Sequence, residues 1–164
     1  MYGARSMGEP QMDERQAVEC SIARALEVIG DRWTILVLRD CFRGIRRFDE
    51  IRRDLDIARP VLADRLRRLV EHGVLEKRLY QQRPNRYEYR LTPIGMELSP
   101  ILVALMRWGD KHLAGEDGPP TVLVHKPCGH ELYQGFYCPS CRQTFAPSEI
   151  GSRPGPGGFR APTS

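Results

Sequence analysis

The chain changes its hydrophobic period several times, and each change marks an element. Residues 59–73 read ArgProValLeuAlaAspArgLeuArgArgLeuValGluHisGly, with Leu62, Leu66, Leu69 and Val70 at helical spacing. Pro60 suits a first helical turn, where a missing N–H costs nothing, and Gly73 suits the left-handed position just past a helix end. Val61, Asp64, Arg65 and Arg68 fall off the apolar stripe, so the outer face of this helix is largely basic. Before it, residues 48–55 place Phe48, Ile51 and Leu55 on one face of a short helix, and AspIleAla makes a turn. Two short helices joined by a tight turn, the second basic outside, form the helix-turn-helix pattern.

Upstream, Ile22, Ala25, Leu26 and Ile29 mark a helix that starts near Cys20 and is interrupted at Gly30. The segment from Trp33 to Cys41 is apolar nearly all round, as a buried helix is. Downstream, residues 74–80 and 87–91 take on a strand pattern around GlnGlnArgProAsnArg, which predicts a β-hairpin with a basic six-residue tip. Beside a helix-turn-helix such a hairpin is a wing, and Arg83 and Arg86 at its tip suit backbone or minor-groove contact. Thr92 as N-cap and Pro93 in the first turn open one last long helix with Ile94, Leu98, Ile101, Leu102, Leu105 and Met106 on one face, extended by Trp108 and Leu113. The winged unit is complete without this stripe, so we expect a second copy of the chain to cover it.

The 164 residues, 41% hydrophobic and 28% charged, suit one ordinary domain with a small appendage. The net charge of +4 says less than its distribution. Between Arg39 and Arg90 fourteen Arg and one Lys face nine acids, a net +6, which leaves −2 for the rest of the chain. A basic middle third carrying a helix-turn-helix points to double-stranded DNA. No apolar run approaches the roughly 20 residues of a membrane span, and residues 1–15 lack the apolar core of a secretory signal, so a cytoplasmic, nucleoid-associated protein is expected. No nucleophile–base pairing and no phosphate loop is present, and an enzyme is not expected.

The domain reading is a flexible arm over 1–15, the winged unit over 16–114, a Cys/His-rich appendage over 121–150 and a disordered tail over 151–164. The fold class is mainly α with a small β-hairpin (α+β): a winged helix-turn-helix, a long C-terminal dimerisation helix and a small ribbon. In the appendage, His125, Cys128, Cys138 and Cys141 are spaced H-x2-C-x9-C-x2-C, a pattern of ligand types that suits tetrahedral zinc; His130 is the rival nitrogen ligand. Residues 121–124 and 132–137 are the expected ribbon strands. With all four positions filled by protein, the Zn2+ is structural. Of the other two cysteines, Cys41 lies on the apolar helix and is read as inert core, while Cys20 lies near a helix start and is the redox candidate.

Five motifs, in order, are similar to one family. CysSerIleAlaArgAlaLeuGluValIleGlyAspArgTrpThr from Cys20, then ArgArgPheAspGluIleArgArg, ValLeuAlaAspArgLeuArgArgLeuValGluHisGly, TyrGluTyrArgLeuThrProIleGly and ArgTrpGlyAspLysHis resemble the HxlR family of bacterial winged-helix regulators. The resemblance spans about residues 20–113. It implies a homodimeric DNA-binding transcription regulator, a repressor by family habit, with the dimer built from the first and last helices, here through Ile22, Leu26, Leu98, Ile101, Leu102, Leu105 and Trp108. It also implies a position for a redox-sensing cysteine, occupied by Cys20; a proline commonly follows that cysteine, and Ser21 stands there. An oxidant or small molecule is the expected effector.

On DNA, a recognition helix sets its first half against base edges. Arg59, Val61, Asp64 and Arg65 are the expected base contacts; Arg46, Arg47 and Arg68 are the expected phosphate contacts. A two-fold dimer prefers near-palindromic half-sites one helical turn or a multiple apart. The alternative is a basal transcription factor that uses wing and ribbon to touch polymerase, which needs neither palindrome nor dimer.

Overall fold

A computed structural model describes residues 20–116 and 118–153. The expected arm over 1–15 and most of the expected tail, residues 154–164, lie outside the described residues. The chain divides into two compact units, one holding residues 31–151 and the other including, among the described residues, 20–30 and 152–153. In the flanking unit, α1 (Ser21–Ile29) starts at Cys20 and ends at Gly30, whose N–H donates to Leu26 O at 2.7 Å. Ile29 is buried, while Ile22 and Leu26 are 71% and 55% exposed.

The central unit begins with α2 (Arg32–Phe42). Asp31 caps it, accepting from the N–H groups of Trp33 and Thr34 at 3.0 and 3.2 Å. Val37 and Leu38 are wholly buried, in keeping with the apolar pattern. Asp40 on the same helix is also wholly buried, which that pattern does not reveal. Arg39 and Arg43 pair with it at 2.7 and 3.5 Å. The same two arginines reach Asp54 at 2.8 and 3.2 Å. Burial nevertheless raises the carboxyl pKa of Asp40, against the lowering by Arg39. The network ties α2 to α3 (Phe48–Leu55), where Asp54 sits and Ile51 is fully buried.

α3 ends with Asp56 in a left-handed conformation, and Ile57 drops into the core at the turn. α4 (Arg59–Glu71) follows at once, with Pro60 in its first turn. Leu62, Leu66 and Leu69 are fully buried, each worth roughly 1.5–3 kcal/mol relative to exposure. Gly73 has φ +69°, and two bonds close the helix end: Val74 N–H to Leu69 O at 2.9 Å and Gly73 N–H to Val70 O at 3.0 Å. That double closure satisfies carbonyls that a helix otherwise leaves orphaned.

The wing is longer and its tip shorter than the sequence predicts. β1 (Leu75–Gln82) pairs antiparallel with β2 (Asn85–Leu91), from Leu75 opposite Leu91 to Gln82 opposite Asn85, with an irregularity between Leu79 and Gln81. Only Arg83 and Pro84 remain between the strands, because Gln81, Gln82, Asn85 and Arg86 complete the ladder. The segment before α3 joins the sheet: Arg47 bridges to Glu88, and Tyr89 N–H donates to Arg46 O at 2.8 Å.

The expected single last helix is two. A one-turn α5 (Pro93–Met96) is capped by Thr92 Oγ1, which accepts from Gly95 N–H at 3.1 Å and donates to Gly73 O at 2.6 Å. Gly95 lies so close to β1 that a Cβ there would stand 2.2 Å from Val74 O. α6 (Ser99–Leu113) then starts afresh. Pro100 in its first turn has no N–H for the carbonyl of Met96, so the helix cannot run through. No residue of α6 is fully buried; Ile101, Leu105, Trp108 and Leu113 are exposed and Leu102 is half-buried. Leu98 sits at the N-cap, off the helix proper.

The extension forms two small hairpins in place of one ribbon from 121–124 and 132–137. In the first, Val124 bridges Glu131 and Leu132 N–H donates to Leu123 O at 2.9 Å. In the second, β3 (Phe136–Cys138) pairs with β4 (Gln143–Phe145), and a short 3-10 turn (Pro147–Glu149) follows. No residue from 121 to 150 is buried. Among the described residues no helix is long and apolar enough to cross a membrane.

Candidate nucleic-acid interface

The helix-turn-helix presents its arginines in three settings. At the start of α4, Arg59 is exposed, with its guanidinium 5.0 Å over the Phe48 ring and 3.7 Å from Asp49. The first residue of α4 therefore leans on the first turn of α3. Val61 is half-buried. Along the outer face, Asp64 accepts from Arg65 at 2.8 Å and from Arg67 at 2.6 Å, and Arg67 reaches Glu71 at 2.7 Å. Hydrogen bonding from Arg67 outweighs desolvation and lowers the Asp64 pKa. Arg67 is absent from the contacts expected from sequence, although its place three residues after Asp64 and four before Glu71 is the spacing of helical ion pairs.

Arg65 is less free than its position on the outer face implies. Besides Asp64 it holds Asp31, Nε to Oδ1 at 3.1 Å, and its side chain is 23% exposed. Burial tends to raise the Asp31 pKa, but hydrogen bonds from the Thr34 hydroxyl and N–H, the charge of Arg65 and the Trp33 N–H outweigh it and the pKa is lowered. Arg68 is half-buried.

The wing carries the third setting. Arg83 and Arg86 are exposed at its tip, and Arg46 and Arg47 lie exposed on the segment beside β2. Arg47 stacks 4.6 Å from the Tyr80 ring centroid, and Lys77 stacks 4.3 Å from that of Tyr87. Such stacking holds the charges out over the sheet, and Arg47 also reaches Glu50 at 3.5 Å. The basic side chains of α4, the 46–47 segment and the wing thus belong to one folded unit.

The candidate thiols separate by environment. Cys20 is exposed at the N-cap of α1. Cys41 is buried, and burial together with the charge of Asp40 pushes its thiol to about 12, which keeps it protonated and inert. In the extension, His125 Nδ1 lies 3.2 Å from Cys128 Sγ. Cys138 is paired with Cys141, whose N–H and thiol, with the Ser140 N–H, hold the Cys138 thiol below its ordinary pKa. Among the described residues no three Cys, His, Asp or Glu side chains converge on one point.

The HxlR-like helix-turn-helix family model matches residues 28–117. An uncharacterized HTH-type transcriptional regulator of Mycobacterium tuberculosis is 44% identical over 141 residues, covering 86% of this chain and 89% of its own. Residues 1–117 cannot supply so many positions, so that similarity runs into the Cys/His extension. Among solved structures, the transcription-factor candidate PA1607 superposes with a TM-score of 0.75 at 34% identity, over 85% of this chain and 98% of that one. The redox regulator HypR in its reduced form matches with a TM-score of 0.53 at 32% identity, over 56% of this chain and 92% of its own.

Proposed function

Because this chain belongs to the HxlR-like helix-turn-helix family, and so is a transcription regulator with a DNA-binding fold rather than an enzyme, we propose that it acts as a homodimeric repressor on a near-palindromic operator. The carrying observation is the apolar face of α6. Ile101, Leu105 and Trp108 are 47%, 53% and 57% exposed beside a winged unit that already has its core. α1 adds a second uncovered apolar face in Ile22 and Leu26. Apolar area of this kind is favourable to remove from water, and a second copy supplies the complement by symmetry. In that dimer each α4 enters a major groove, with Arg59, Val61, Asp64 and Arg65 toward the bases. Arg46, Arg47, Arg68 and the wing arginines Arg83 and Arg86 hold phosphate or minor groove.

The test is selection of bound DNA from a random pool by purified protein, with the mass of the complex measured on the selected duplex. Two protomers on an inverted repeat are expected. One protomer on DNA without sequence preference would overturn the reading.

A redox response through Cys20 has its own support. HypR is a redox regulator, and of Cys20 and Cys41 only Cys20 is accessible. Mild peroxide should weaken operator binding by the parent protein and leave Cys20→Ser bound. An equal response in both excludes Cys20 as the sensor.

A further inference from the structure

The extension is built from one backbone device used twice. In the first copy, Gly129 N–H donates to His125 O at 2.7 Å and Gly129 has φ +73°. In the second, Arg142 N–H donates to Cys138 O at 2.8 Å and Arg142 has φ +57°. Each copy turns one small antiparallel hairpin: Val124 with Glu131 closes the first, and β3 with β4 the second. The first turn sets His125 Nδ1 3.2 Å from Cys128 Sγ, and the second, closed by Arg142 N–H on Cys138 O at 2.8 Å, holds Cys138 and Cys141 three residues apart within one turn. An arginine held left-handed is informative, because that conformation costs a non-glycine residue roughly 1–2 kcal/mol and persists where the surroundings require it.

From this repeat we propose that His125, Cys128, Cys138 and Cys141 are the four ligands of one structural zinc ion. One nitrogen and three thiolate sulfurs form a ligand set that tetrahedral zinc takes, and with all four places filled by protein the site is closed to substrate. Bound to all four, the ion would cross-link the two turns, and its binding would release the thiol protons. The need is physical: thirty residues with none buried have no core of their own, and metal supplies the missing cross-link. His125 is the nitrogen ligand over His130, because His125 shares its turn with Cys128, whereas His130 enters the hairpin through its carbonyl, which accepts from His125 N–H at 2.8 Å. The extension also touches α6: Gln134 Nε2 donates to Pro100 O at 2.8 Å, and a cleft of about 390 Å3 lies between Arg107 and Lys111 on one side and Leu123 and Glu131 on the other. The module that the metal would cross-link thus rests on the helix with the uncovered apolar face.

The test is metal analysis of the full chain purified under reducing conditions, followed by exchange of zinc for cobalt. One ion per chain is expected, with the absorption of a tetrahedral thiolate-bound cobalt ion. His130→Ala should keep it; His125→Ala and Cys138→Ser should lose it. Should a variant fail to fold, alkylation of the parent protein decides: zinc must protect Cys128, Cys138 and Cys141 together while Cys20 reacts at an unchanged rate. A chain that takes up neither zinc nor cobalt, or whose three extension thiols react equally with and without zinc, overturns the proposal. So does half an ion per chain, which would place the metal between molecules, or loss of the ion in His130→Ala alone.

Discussion

Arg65 Nε donates to Asp31 Oδ1 at 3.1 Å, so the outer side of α4 is tied to the N-cap of α2, 34 residues earlier in the chain. One carboxylate thus serves two tasks. It satisfies the first N–H groups of α2, and it holds the arginine expected to read a base.

Asp31→Ala should cost about 0.5–2 kcal/mol, the usual range for a lost cap. Asp31 also gives a pH signature. Its pKa is lowered in the folded state, so the carboxylate stabilises fully above the unfolded value of about 3.9 and less as pH falls below it. Urea midpoints measured between pH 7 and pH 3 should therefore fall less steeply at the acid end for Asp31→Asn than for the parent. Parallel acid limbs would mean the pair contributes nothing to the pH dependence.

Arg65 must leave Asp31 to meet a base edge. Arg65→Ala should weaken binding to the matched operator by about 1–3 kcal/mol and narrow the gap to a mismatched one. Asp31→Asn, which removes one of the two carboxylates that hold the guanidinium and leaves Asp64, should act in the opposite direction and tighten the matched complex. Fluorescence anisotropy on both duplexes separates the outcomes. Equal weakening by Arg65→Ala on matched and mismatched DNA would reduce Arg65 to a phosphate contact.

Arg83 and Arg86 lie at a wing tip whose loop is only two residues long. The double variant to Ala should weaken binding alike on all sequences and shrink the salt slope by about 1 for each phosphate that is no longer neutralised. A titration of affinity against salt measures this, and a change confined to one operator would assign the pair to base readout.

Leu105 and Trp108 are more than half exposed in the single chain. Leu105→Glu or Trp108→Glu should leave the stability of the protomer within about 0.5 kcal/mol. The same changes should weaken the dimer by roughly 2 kcal/mol or more, about thirtyfold in its dissociation constant. Sedimentation equilibrium reads the second and unfolding of the dilute protomer the first. A dimer of unchanged strength would move the interface off α6.

Gly95→Ala should be among the more damaging small substitutions in the winged unit. Its Cβ would meet Val74 O at 2.2 Å; that oxygen is backbone and a Cβ has no rotamer by which to turn away, so the α5 turn or the start of β1 must move. About 1–3 kcal/mol of destabilisation by thermal unfolding is expected, as for overpacking elsewhere. A neutral result would show that this junction yields freely.

Much of the architecture is legible in the sequence because its causes are local. The stripe of Leu62, Leu66 and Leu69, the proline at the first turn of α4 and the glycine past its end act within a few residues, and the helix runs where they place it. The five family motifs and the spacing of His125, Cys128, Cys138 and Cys141 are likewise properties of the chain read in order. The tertiary structure decided what depends on distant partners. The strands of the wing run on to Gln82 and from Asn85 because each residue finds a partner across the ladder, not because its own side chain demands it. α5 ends after one turn where Gly95 meets Val74 and Pro100 withholds a donor. Asp40 lies in the core because Arg39 and Arg43 can join it to Asp54 on the neighbouring helix. The same holds for Arg65. Periodicity places it on the outer face of α4, but whether an outer arginine is free or held depends on which carboxylate folding brings within 3.1 Å, and that carboxylate is Asp31.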